Sequence, residues 1–82
     1  MRSVYSMVTM VENELKRRLA RYELTDRLFR KKYGMTLDEF EKNEMVKKLG
    51  YSFDVESNYH NWDMAIDGIK ALHRDLEEIR SS

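Results

Sequence analysis

The sequence contains no cysteine and no proline, and only three of its 82 residues are glycine. Lack of cysteine excludes both a disulfide staple and a thiolate zinc site, the usual supports of very short chains. With no proline and so little glycine, the chain has few forced breaks and reads as long helices rather than turn-rich sheet. No apolar run approaches the roughly 18 residues of a membrane span. The opening stretch MRSVYSMVTMVENEL breaks its apolar positions with Ser, Thr and Glu too often for a signal peptide. These absences lead us to expect a soluble cytoplasmic protein that does not engage the membrane. There is also no glycine-rich phosphate loop and no nucleophile elbow, and the two histidines stand in separate turns. We therefore expect a protein without catalytic activity or cofactor.

Charged residues make up 37% of the chain against 41% hydrophobic, and the formal net charge is zero. That mixture suits long charged helices. A chain this short leaves much of its surface outside any core it can build, so self-association or a partner is expected. The charge is unevenly distributed. Lys16 to Lys32 carries eight bases against Glu23 and Asp26, whereas the stretch from Asp54 onward carries seven acids against three bases. Such polarity steers an anionic partner to one end or draws the two halves together.

The apolar residues Val4, Val8, Val11, Leu15, Leu19, Tyr22, Phe29 and Tyr33 lie on one face of a helix over about residues 4–33. Gly34, after Lys31 and Lys32, marks its end. A second helix over about 36–48 opens with a capping box, Thr36 with Glu39, and Met35 is placed to staple onto Phe40. The alternating stretch YSFDVES suggests an extended connector over 50–56. A third helix over about 57–80, with Ser57 as cap, carries Tyr59, Trp62, Ile66, Ile69, Leu72, Leu76 and Ile79. The expected fold is all-α: two long helices flanking a short one, a helical hairpin or bundle completed by dimerisation.

Three groups of residues raise the question of chemistry. His60, Asp63 and Asp67 share a helix face and could offer a metal one imidazole and two carboxylates, but a solvated face has the same pattern. Asp26 and His73 each interrupt an apolar stripe, and an antiparallel pairing of the long helices would let them share a hydrogen bond. The basic run KRRLARYELTDRLFRKK, with Arg17, Arg21, Arg27 and Lys31 as phosphate contacts, admits nucleic-acid binding. Ribbon-helix-helix architecture and aromatic RNA-binding signatures are missing, so this reading is not favoured. Tyr59, Trp62, Ile66, Ile69 and Leu76 form a stripe that could anchor a partner or a second copy.

The stretch RYELTDRLFRKKYGMTLDEFE followed by VESNYHNWDMAIDGIKAL resembles a group of small archaeal and bacterial helical proteins. They share a Lys-Tyr-Gly-Met turn, an acidic helix start and a Tyr-x-x-Trp-x-x-Ala segment, and are classed as antitoxins paired with TumE-type toxin-like proteins. The resemblance spans roughly residues 21 to 72. Asn58 and Asn61 stand where the family has more acidic residues. What the resemblance implies is a non-enzymatic module that binds and occludes a small partner protein. The alternatives are nucleic-acid binding through the basic helix face, or a self-contained helical oligomer.

Overall fold

The computed structural model describes residues 2–81, and the side chains of residues 7–81. The fold is all-α. Among the described residues it has four helices, α1 (Arg2–Tyr33), α2 (Leu37–Lys42), α3 (Met45–Lys48) and α4 (Phe53–Ser81). The two long helices pack against each other as a hairpin about 58 Å long, and the short pair sits at its turn end.

The first corner follows its sequence signals. Gly34 adopts φ 70°, and its N–H donates to the Arg30 carbonyl at 2.7 Å, closing the last turn of α1. Arg30, Lys31 and Lys32 occupy that turn, beside the negative end of the helix dipole. The capping box is complete. The Glu39 N–H donates to the Thr36 hydroxyl at 3.2 Å, and the Thr36 N–H donates to the Glu39 carboxylate at 3.0 Å. Met35 packs on the same cluster as Phe40, where the staple was expected.

Three expected boundaries move. The helix expected over 36–48 is two helices, because Glu44 takes a left-handed conformation (φ 50°) and interrupts the ladder between α2 and α3. The connector expected over 50–56 is already helical from Phe53. Gly50 (φ 77°) and Tyr51 (φ 54°) turn the chain sharply. The Ser52 hydroxyl then accepts the Val55 N–H at 3.2 Å, so Ser52 rather than Ser57 caps α4. Asp54 and Glu56 fall in its first turn, where carboxylates favour the dipole. The first helix starts earlier than expected and runs unbroken through Thr9; the side chain of Val4 lies outside the described residues.

The core lies at the turn end. Leu37, Phe40 and Trp62 are buried, with Phe29, Tyr33, Met45, Val46, Val55, Tyr59 and Ile66 packed around them. Trp62 has 0% of its surface exposed. Its ring centroid lies 5.5 Å from Phe40, 5.6 Å from Phe29 and 5.9 Å from Tyr33, distances at which aromatic pairs attract beyond their buried area. Further along α4, Ala65, Leu72 and Leu76 are buried, but there the protein is only two helices thick.

Candidate functional site

Four cross-helix contacts set the register of α1 on α4. Tyr33 accepts from Asn58 at 2.9 Å, and Asp26 accepts from the Trp62 indole N–H at 2.9 Å. The Tyr22 ring lies over Gly68, and Arg80 reaches Glu12 at 3.6 Å. The helices are therefore antiparallel and share most of the length of α4. Gly68 is what lets them approach. A Cβ added there would stand 2.6 Å from the Tyr22 ring, well inside contact distance.

The polar pair expected between Asp26 and His73 does not form. Asp26 spends one oxygen on Trp62 and the other on the Arg30 guanidinium at 3.2 Å, while His73 is exposed. The physical reason is register: Asp26 lies level with Trp62, several turns from His73, and the indole N–H is buried and requires an acceptor. Asp26 thus interrupts its apolar stripe to complete the aromatic core.

The partner stripe also needs correction. Trp62 and Leu76 are buried within the chain, and Tyr59 is half-buried, stacking on Phe40 and donating its hydroxyl proton to Glu41 at 3.0 Å. Burial and the nearby carboxylate raise the Tyr59 phenol above its ordinary value near 10. Trp62 and Leu76 hold the fold together and are not free to anchor another molecule, whereas Tyr59 keeps part of its surface open beside Phe40, Met45 and Val46. Ile66 and Ile69 are only half-buried and stay accessible.

They do so in a groove. One stretch, about 420 Å³, lies between α1, α4 and the start of α2, with Ile66 and Leu37 on its floor and Asp26, Asp38, Glu41, Asp63 and Asp67 on its walls. Arg30 and Lys70 are the only bases in that lining. A second stretch of about 370 Å³ shares Asp26, Arg30 and Ile66 with it and continues along the hairpin past Ile69, Ala20, Glu23 and Arg27. The groove follows the α1–α4 seam, and α2 and α3 cover only the turn end of the hairpin. Sequence patterning could flag Ile66 and Ile69 as apolar, but nothing in it distinguished them from Trp62, one turn away.

The remaining candidates separate. His60 and Asp67 are exposed and Asp63 is half-buried; among the described residues no group of three or more His, Asp or Glu side chains is placed to hold a metal ion. Arg17, Arg21, Arg27 and Lys31 are all exposed on α1. Arg17 pairs with Glu14 at 3.5 Å, and Arg27 borders the groove. Leu24 and Leu28, both exposed, sit among these bases, so the face is a mixture of apolar and cationic groups. Of the ion pairs among the described residues, only Arg80 with Glu12 joins α1 to α4. The other pairs lie within α1 or within α2, so the opposite charges of the two halves are barely spent on each other.

No described helix is long and apolar enough to cross a membrane. Compared with protein-family models, curated proteins and solved structures, the chain gives no match. Fold and site together define a helical hairpin with an incomplete third layer and a groove where that layer stops.

Proposed function

We propose that the protein is a non-enzymatic interaction module that receives a helix of a small partner protein in the groove beside α2. The observation that carries this is the groove itself: an apolar floor of Leu37, Ile66 and Ile69 between walls in which carboxylates outnumber bases. Helix-in-groove recognition needs such a floor for the partner's apolar anchors, and charged walls select the partner by complementarity. A basic amphipathic helix fits both features. Under the family resemblance of residues 21–72, the partner is a toxin-like protein and binding occludes its working surface. That identification rests on the resemblance, whereas the helix-binding role rests on the groove.

The test is a pull-down from the source cell's lysate with wild-type chain, with Ile69→Arg, and with Arg17→Glu/Arg21→Glu, each with and without nuclease. The expected result is one small protein held in near-equal amount after nuclease treatment, lost from Ile69→Arg and retained by the double variant. Loss of all bound material on nuclease treatment and from the double variant would instead make the basic face of α1 the working surface, with the steep salt dependence of phosphate contacts.

A further inference from the structure

The long helices carry apolar side chains on their outer faces as well as along the seam. On α1, Leu24 (49% exposed) and Leu28 (59% exposed) share a line with Arg17, Arg21 and Lys31, at spacings of four and three residues. At roughly 100° per residue that line runs along the far side of the helix from Tyr22, Asp26 and Phe29, which meet α4. On α4 the matching line is Met64 (56% exposed) with Asp67, Asp75 and Glu78, across the helix from the buried Trp62 and Leu76. Arg74 is the base beside it. A lone exposed apolar side chain needs no explanation, but these stand in faces of opposite charge. Those charges are little used within the chain. Arg21, Lys31, Asp67, Asp75 and Glu78 join no ion pair among the described residues, and the exposed pair of Arg17 with Glu14 is long at 3.5 Å.

The register of the hairpin brings the two faces into match. Asp26 is level with Trp62, Tyr22 with Gly68 and Glu12 with Arg80. A second copy displaced sideways at that same register sets its α1 antiparallel to the outer face of the first copy's α4. Met64 of one copy then falls between Leu24 and Leu28 of the next, as a knob enters a hole. Arg21 comes within a turn of Asp67, and Arg17 within a turn of Asp75. Like faces do not match in this way. Two α1 lines paired antiparallel about Leu24 and Leu28 oppose Arg21 to Lys31, and two α4 lines set one acidic face on another, which costs binding energy.

We propose that these two faces form one interface between copies of this chain, the outer face of α1 in one copy receiving the outer face of α4 in another. The apolar anchors supply the contact, and the charges choose which edge meets which. Because the two faces lie on opposite edges of the hairpin, the contact is heterologous. Each copy in a pair keeps one face of either kind open, so chains add side by side in an open row and do not stop at a dimer. This association does not rest on the groove, whose floor of Ile66 and Ile69 lies elsewhere on α4.

The test is sedimentation of nuclease-treated chain across a hundredfold concentration range. Wild-type chain should grow past the dimer, and raising salt from about 0.05 M to about 0.5 M should weaken each step about tenfold. Arg17→Glu/Arg21→Glu blocks the α1 face and Met64→Arg blocks the α4 face. Each variant alone should stay monomeric, with native Trp62 fluorescence. Mixed, the two should form a one-to-one dimer and stop there, because only one intact face of each kind remains. The chain has no cysteine, so single-cysteine variants report the pairing. Under mild oxidation Leu28→Cys should cross-link with Met64→Cys far faster than either does with itself. A wild type that stays monomeric or stops at a dimer, or a blocked variant that still associates, would overturn the proposal. So would a mixture that remains monomeric, or cysteine variants that cross-link with themselves as fast as with each other. None of these outcomes bears on the loss of the small partner from Ile69→Arg.

Discussion

The two ends of the hairpin share the same pair of helices and differ in what covers them. At the turn end, α2 and α3 add a third layer, three rings (Phe29, Tyr33 and Phe40) meet around the buried Trp62 indole, and Tyr59 stacks on Phe40. Every polar atom carried into that region has a partner: indole on Asp26, amide on Tyr33, phenol on Glu41. At the far end no third layer lies among the described residues, and Met7, Val8, Met10 and Val11 face water. A helix pair alone buries one stripe of each helix, and the lesson is that a third layer is what turns a half-covered stripe into a closed core.

The largest effect expected is at the core. Trp62→Ala should lower unfolding free energy by about 3–5 kcal/mol, enough to abolish most of a small domain's stability. Val11→Ala, half-exposed at the far end, should stay within about 0.5 kcal/mol. Urea unfolding of both variants measures this contrast, and similar losses at the two sites would erase it. Asp26→Ala comes next. It leaves the buried indole N–H without an acceptor and should lose about 1–3 kcal/mol, with a shift in Trp62 emission.

Gly68 tests the seam between the ends. Gly68→Ala should destabilise by about 1–2 kcal/mol, the crowding against Tyr22 outweighing the gain of roughly 1 kcal/mol in helix propensity. A double-mutant cycle with Tyr22→Ala should recover most of that loss, and no recovery would place the cause elsewhere.

The smaller effects concern the short helices. Thr36→Ala should cost about 1 kcal/mol through loss of the cap. The hydrogen bonds from the Thr36 backbone and hydroxyl hold the Glu39 carboxyl below its ordinary value of 4.5. Its contribution is therefore complete above the ordinary carboxylate range and disappears as pH falls through the lowered folded value. Amide shifts of α2 followed by NMR should show that acid transition in wild type and none in Glu39→Gln. Last, Glu44→Gly relieves a left-handed residue and should raise stability by less than about 1 kcal/mol in thermal melts.

Much of the fold was legible in the sequence because its signals are local. The Thr36–Glu39 box, the glycine at 34 and the stripe of α4 depend on neighbours a few residues away, and all three appear in the structure, whereas Val8, Val11 and Tyr22 of the α1 stripe stay exposed. The split at Glu44 was not legible, since a non-glycine residue in a left-handed conformation has no composition signal. Nor was the start of α4. Ser52 caps it, but the alternation of Tyr51, Phe53 and Val55 resembles a strand, although Phe53 is exposed and only Val55 reaches the core. For the site, periodicity named the stripe of α4 but not which members lie inside. Trp62 and Ile66 share a face four residues apart, and only the position of α2 makes one a core residue and the other a groove floor. Asp26 was marked correctly as out of place, with the wrong partner, because the register between helices is not written in either helix alone.

The most direct measurement of the uneven hairpin is hydrogen exchange along α1. The account predicts amides near Asp26 to Tyr33 protected close to the global unfolding limit, and amides of residues 7–11 exchanging far faster. Uniform protection along the whole of α1 would contradict it, and would mean that the third layer at the turn end adds nothing to the stability of the helix beneath it.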